Sequence, residues 1–169
     1  IKISKICFSY LKKSKDVVYD FNLTIKKGER IGIVGTSGSG KSTIADLIMG
    51  LLKPRKGKIE IDGINLHDNF LFSKEDWYKN ISHVPQEIYL ADSNIAENIA
   101  FGTPSNLINR KKLDYAIKAS DLSDLCVNSN KAFQVQVGER GIQLSGGQRQ
   151  RIGIARAIYK GGNFLILDE

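Results

Sequence analysis

Eight residues, Gly35-Thr-Ser-Gly-Ser-Gly40-Lys41-Ser42, restrict this chain more than any other feature. They satisfy the pattern G-x-x-x-x-G-K-[ST], and they stand where that pattern has meaning, between a candidate strand and a candidate helix. Residues 30–34, Arg-Ile-Gly-Ile-Val, read as a short buried parallel strand. Residues 41–52 carry Ile44, Leu47, Ile48, Leu51 and Leu52 at helical spacing, with Pro54 and Gly57 expected to end the helix. Strand, glycine loop and helix in that order build an anion cradle. The glycines let the backbone curl until successive N–H groups converge, and the helix aims its positive end at the same point. Gly35, Thr36, Ser37, Gly38, Ser39, Gly40, Lys41, Ser42 and Thr43 are thus candidate phosphate-binding residues. Lys41 would reach the terminal phosphates of a nucleotide, and the Ser42 hydroxyl would complete the coordination of Mg²⁺.

A second element suits the first. Residues 164–167, Phe-Leu-Ile-Leu, run into Asp168-Glu169, which is how a buried strand delivers carboxylates to a nucleotide site. Asp168 is the candidate Mg²⁺ acid, acting through water. Glu169 points differently in a strand and would polarise an attacking water. Alone, Leu-Asp-Glu is a strand meeting a solvated turn; beside a phosphate loop it becomes the other half of a site.

The remaining chain supplies the frame. Residues 1–8 alternate as a half-buried strand, 12–16 form a charged turn, and 17–27 place Phe21, Leu23 and Ile25 at period two. Residues 58–61 with Asp62-Gly63 read as a strand and tight turn, Ser73 opens a short helix holding Trp77, and 81–84 form another short strand. Residues 93–129 turn helical, opened by Asn94 and Glu97 in capping-box spacing and continued by Leu113, Ala116, Ile117 and Ala119 to Leu122 and Leu125. Residues 138–159 pass from a glycine-rich loop into a helix. The pattern is that of an α/β fold with a helical insertion.

Bulk properties narrow the class. The chain is 41% hydrophobic and 25% charged, an ordinary globular composition, and no apolar run approaches the length of a membrane helix. The N-terminus has no signal-peptide pattern. Cys7 and Cys126 lie outside any metal-ligand spacing and read as packing residues in a reducing, cytosolic setting. The net charge of +7 is uneven, with thirteen Lys and Arg against five acids in residues 1–60. That bias suits an anionic partner or a solvated basic face and does not decide between them.

Leu144-Ser145-Gly146-Gly147-Gln148 resembles the signature sequence of ABC ATPases, and it stands about twenty residues before Asp168, as in that family. The continuation, Arg149 to Ala157, is similar to the family's signature helix. The resemblance implies a P-loop NTPase core with an N-terminal antiparallel β-subdomain (residues 1–85 and 157–169) and an inserted α-helical subdomain (86–156). It implies ATP and Mg²⁺ as ligands. Ser145, Gly146, Gly147 and Gln148 would then meet the γ-phosphate of a nucleotide held by a second ABC ATPase domain, in a head-to-tail homo- or heterodimer. Tyr10 would stack on adenine, and Gln86, in Val-Pro-Gln-Glu, would touch Mg²⁺ or the lytic water. Glu169, Gln86 and Lys41 form the implied catalytic set; Ser42, Gln86 and Asp168 form the metal set. His83 reads as a polar strand residue and His67 as a surface one.

The segment Asp92 to Gly102 and the motif Gly138-Glu139-Arg140-Gly141 resemble exporter-type domains. They imply a transmembrane domain, in the same or a partner chain, and a position at the cytoplasmic face of a membrane. A soluble ABC ATPase acting on nucleic acid or ribosomes is the alternative. The spacing of about one hundred residues between the two nucleotide motifs, too short for an inserted coiled coil, speaks against the chromosome-maintenance type, and nucleic acid is not expected as a partner. The family places a D-loop and a switch histidine beyond the position of Glu169. The chain is therefore expected to be a C-terminally incomplete domain that binds ATP weakly and hydrolyses it poorly by itself.

Overall fold

In the computed structural model the chain is described at residues 1–11, 15–68 and 70–168, with Arg140 described through its backbone alone. Most of the charged turn at 12–16, and Glu169, lie outside the described residues. The chain divides into two units, Ile1–Lys79 and Asn80–Glu169.

The first unit is built on an antiparallel sheet in the order β2-β1-β3-β4, from β1 (Lys2–Phe8), β2 (Val18–Thr24), β3 (Lys56–Ile61) and β4 (Ile64–Asn65). Its inner residues Ile3, Ile6, Phe8, Val18 and Ile59 are buried. The expected alternation of β1 breaks at Lys5, whose φ of 50° marks a bulge and brings Ile6, Cys7 and Phe8 successively inside. The bulge is fitted to Gly57 on β3. At φ 81°, a Cβ there would collide with the carbonyl oxygens of Ser4 and Lys5, so only glycine fits. Asp62 and Gly63, at φ 48° and 85°, make the expected tight turn between β3 and β4. Helix α1 (Lys41–Met49) buries Ile44, Leu47 and Ile48. Helix α2 (Lys74–Asn80) starts at Ser73, whose Oγ accepts the Asp76 N–H, and anchors through Trp77, whose indole N–H donates to the Ile48 carbonyl at 3.1 Å.

The second unit holds a parallel two-stranded ladder, β5 (Ile81–Val84) with β6 (Phe164–Leu167), and helices α3 (Ile95–Ile99), α4 (Arg110–Ala119), α5 (Ser129–Ala132) and α6 (Gly146–Lys160). Leu90, Ile95, Ile99, Leu113, Ile117, Leu122, Val137 and Ile152 form its core. Three helices begin alike: Asn94, Asn109 and Asn128 each accept the N–H three residues on, at 2.9, 3.0 and 3.0 Å. The Asn94 capping box is half made, because the Glu97 carboxylate accepts the Ser105 hydroxyl instead. Ser82 ties β5 to α6, its Oγ donating to the Ala157 carbonyl and accepting from the Gly162 N–H, both at 2.9 Å. Cys7 and Cys126 are buried and free, as expected of packing residues.

Several local expectations are corrected. Residues 30–34 form no strand; they belong to neither sheet, and Ile31, Ile33 and Val34 are exposed. A short apolar run has no strand geometry of its own; ladder partners create it, and among the described residues none pairs with this one. Helix α1 ends at Gly50, before Pro54 or Gly57 is reached. Gly50 takes φ 79°, its N–H bonds Leu47 and the Leu51 N–H bonds Asp46, a Schellman stop that leaves Leu51 exposed. The helical stretch at 93–129 is broken by turns into α3, a 3₁₀ turn at Ser105–Leu107, and α4. Strand β6 is half-exposed where a buried strand was expected, with Leu165 and Leu167 outward. His67 is partly buried and its Nε2 is enclosed without a hydrogen bond. Burial first, then Lys74 and Lys53, push its pKa below the usual histidine value.

Candidate functional site

The candidate residues fall in both units, and each half has its own geometry. In the first unit, Ser39 N–H bonds the Thr36 carbonyl at 3.1 Å, making a tight turn before α1. Gly38 and Gly40 take φ 75° and 91°, the left-handed conformation that side chains oppose. A Cβ on Gly40 would also lie 3.2 Å from the Val17 carbonyl oxygen, and one on Gly35 would lie 2.5 Å from Ser39 Oγ. Gly40 is the N-cap of α1, so no side chain caps that helix. Lys41 Nζ folds back over the loop and donates to the Gly35 and Thr36 carbonyls at 3.1 and 3.2 Å. This holds the ammonium in the mouth of the loop.

Tyr10 belongs to the same half. Its hydroxyl is 2.9 Å from Thr43 Oγ1, on the first turn of α1, and Phe8 meets its ring edge-on at 5.0 Å. The residue is 61% exposed. An open aromatic face is therefore tied to the helix that carries Lys41. Ser42 is exposed beside it.

In the second unit, the β5–β6 register sets Val84 against Leu167, and Asp168 N–H continues the ladder to the Val84 carbonyl at 3.0 Å. Asp168 thus lies at the end of β6 while Pro85 and Gln86 leave the adjacent end of β5. Parallel pairing brings both to one edge, with Gln86 exposed and Asp168 half-buried. His83 keeps its place within β5, half-buried, its Nε2 enclosed without a partner.

Helix α6 opens with a complete capping box. Ser145 Oγ accepts the Gln148 N–H at 3.2 Å, and Gln148 Oε1 accepts the Ser145 N–H at 2.9 Å. Gly146 and Gly147 between them are exposed, and a Cβ on either would meet nothing within 4 Å. The preceding Glu139–Gly141 turn packs against the core: a Cβ on Gly141 would sit 2.7 Å from Leu90 Cδ1. The Arg140 side chain and Glu169 lie outside the described residues.

Three residues that local pattern did not single out organise this half. Asn98 is fully buried; it accepts from Ala91 N–H at 2.9 Å and donates to Ala91 O, Ser93 Oγ and Asn94 O at 3.1 Å each. It holds the segment after Gln86 in shape. Arg156 on α6 donates to the carbonyls of Asn98 and Tyr89 at 2.9 and 3.0 Å, with its guanidinium 4.7 Å from the Phe101 ring centroid. Burial lowers its pKa from the ordinary arginine value. Asp124 accepts from both Gln148 and Arg151. The Asp124 and Arg156 partners lie up to 67 residues away, so no spacing rule finds them, while Asn98 bonds within its own loop.

The model of the ABC transporter family matches residues 18–169, and the chain belongs to that family. It is 38% identical over 168 residues to ABC transporter B family member 28 of Arabidopsis thaliana, covering 99% of this chain and 23% of that protein. It is 36% identical over 169 residues to the ATP-dependent lipid A-core flippase of Pseudomonas aeruginosa, covering 100% of this chain and 27% of that one. A bacterial Atm1-family ABC exporter solved with ATP bound superposes with a TM-score of 0.88 at 32% identity, covering 99% of this chain and 28% of the exporter. The chain thus spans between 14% and 29% of the length of the curated relatives it matches. Among the described residues, no helix is long and apolar enough to cross a membrane.

Proposed function

We propose that this chain is the ATP-binding and ATP-hydrolysing domain of an ABC exporter, in which ATP closes a head-to-tail dimer and hydrolysis reopens it. The observation that carries the reading is that Gln86 and Asp168 leave adjacent parallel strands at one edge. They join a chain that already holds an uncapped, lysine-bearing phosphate loop. Gly35 to Thr43 cradle the phosphates, Lys41 neutralises their charge, and Tyr10 offers its exposed ring to the base. The residues expected to hold a metal, Ser42, Gln86 and Asp168, offer oxygen donors, a chemistry that suits Mg²⁺. When bound, Mg²⁺ would supply electrostatic neutralisation of the phosphates. Glu169 orients and polarises the attacking water. Ser145, Gly146, Gly147 and Gln148 complete the site of the partner domain, with the two glycine N–H groups facing outward from a positive helix end.

The partners that follow are a second ABC ATPase domain and a transmembrane domain, with this domain at the cytoplasmic face of the membrane. The similarity to proteins described as exporters and a flippase supports that assignment. The exposed Tyr89 and Phe101 rings, held in place by Arg156, suit an apolar contact with the membrane domain.

The test is Glu169→Gln in the full-length protein. Phosphate release should fall by roughly 10²–10³-fold, the scale of losing one pre-organised catalytic contact. An ATP-bound dimer should accumulate by size-exclusion with light scattering. Hydrolysis by a monomer, unaffected by the substitution, would refute the reading.

A further inference from the structure

Gln148 uses both ends of its amide. Oε1 accepts the Ser145 N–H at 2.9 Å, and Nε2 donates to Asp124 Oδ2 at 3.3 Å. The cap alone does not explain why an amide stands here, because a capping box accepts Glu as readily as Gln. Asp124 supplies the reason. Its carboxylate only accepts, so a partner that must also accept from Ser145 needs one acceptor end and one donor end. A second carboxylate at position 148 would be opposed, because the nearby cation is already shared. Arg151 donates to Asp124 Oδ2 at 3.0 Å and to the Asp121 carbonyl at 2.6 Å, and lies 3.6 Å from the Asp121 carboxylate.

We propose that Asp124 is a positioning residue for the start of α6: through the Gln148 amide it fixes Ser145 and the outward N–H groups of Gly146 and Gly147. The role rests on the reading above, that these groups meet a nucleotide phosphate. Asp124 sits in the loop before α5, 24 residues from Gln148, and accepts from the Gln148 and Arg151 side chains. The Gln148 hydrogen bond is the largest influence holding the Asp124 carboxyl below its usual range, which agrees with an ionised acceptor. One side chain thus carries the geometry of the Asp121–Asp124 loop to the first turn of α6.

The test uses the full-length protein and ATP hydrolysis across a range of ATP concentrations, comparing wild type, Gln148→Glu, Asp124→Asn and the double variant. Gln148→Glu keeps the cap but sets carboxylate against carboxylate; KM for ATP should rise about fivefold, the scale of a like-charge contact near the surface, with kcat changed less. Asp124→Asn keeps an acceptor and should raise KM by about twofold or less. In the double variant the new amide at 124 donates to the new carboxylate at 148, so KM should return to within about twofold of wild type. Rescue of KM by the second substitution establishes the coupling. A Gln148→Glu protein with wild-type KM, a double variant no better than Gln148→Glu, or a fall in kcat with KM unmoved would overturn it, the last marking a purely structural role. Wild type without ATP hydrolysis would remove the ATPase reading and this inference together; an active wild type with uncoupled variants removes only this inference.

Discussion

Two helices of this molecule begin in glycine-rich segments, and they begin in opposite ways. Helix α1 starts from Gly40 at φ 91°, with no side chain to cap it and an ammonium from its own first residue folded over the loop. Helix α6 starts from Ser145 in extended backbone, with a complete capping box and a second layer of support in Asp124 and Arg151. Both ends carry the same dipole, so the difference lies in what else satisfies the first-turn donors. At α1 the protein brings a cation and no competing oxygen from a cap, the arrangement of a site that must hold a polyanion. At α6 the Gln148 N–H is spent on Ser145, and the open groups are the two glycines between them. A start stiffened internally, with a small patch left outward, suits docking onto a phosphate that another body already holds. The first start suits binding by charge; the second suits docking by fixed shape.

The most severe way to break that contrast is Lys41→Ala. If α1 depends on its cation, ATP hydrolysis by the full-length protein should fall by roughly 10²–10³-fold, comparable to losing a pre-organised electrostatic contact, and a fluorescent ATP analogue should no longer bind. Retention of most of the activity would mean that the loop backbone suffices, and the two helix starts would then work alike.

The same contrast marks how far the sequence could be read. The Gly35–Ser42 loop, α1 behind it, the parallel run into Asp168 and the Asn94 cap were all legible, because each is written in consecutive residues whose chemistry acts locally. Residues 30–34 misled because an apolar run becomes a strand only when a ladder forms beside it. Gly50 stopped α1 four residues before Pro54 because a Schellman turn depends on backbone geometry, which the residue name permits but does not announce. The β1 bulge escaped for a similar reason: Lys5 and Gly57 fit each other across strands. Around the candidate site, local pattern named Lys41 and Asp168, and the family resemblance added Tyr10, Gln86 and Ser145. Neither named Asn98, whose bonds depend on the folded shape of its own loop, nor Asp124 and Arg156, whose partners lie 24 and 58 residues away. The Ser145–Gln148 box did have a local signature, S-x-x-Q ahead of an apolar-periodic helix, and that spacing was the available signal.

A smaller effect sharpens the comparison by adding what α1 lacks. Gly40→Ser installs a residue that is favoured at most helix starts. At φ 91°, with the Val17 carbonyl 3.2 Å from the new Cβ, it should destabilise the domain by about 1–2 kcal/mol, the usual cost of forcing a side chain into left-handed backbone. Chemical denaturation of the domain should show the midpoint falling. A neutral or stabilising result would mean that the loop can relax to accept a cap, and that the bare start of α1 is not required by its backbone.

The smallest effect tests the other end. Ser145→Ala deletes the Oγ that accepts the Gln148 N–H but leaves the Ser145 backbone N–H on Gln148 Oε1, so only half of the box is lost. The expected cost is about 1 kcal/mol, as for other N-cap serines, or a melting temperature lower by about 2–4 °C. A fluorescent ATP analogue should bind the Lys41 loop as before, while ATP-driven dimerisation weakens, because the outward glycines of α6 lose a fixed frame. Unchanged stability would show that Asp124 and Arg151 hold the start of α6 without Ser145. Loss of analogue binding would be the more damaging result, since it would make the two helix starts one site and end the distinction between a start that captures phosphate and a start that docks onto it.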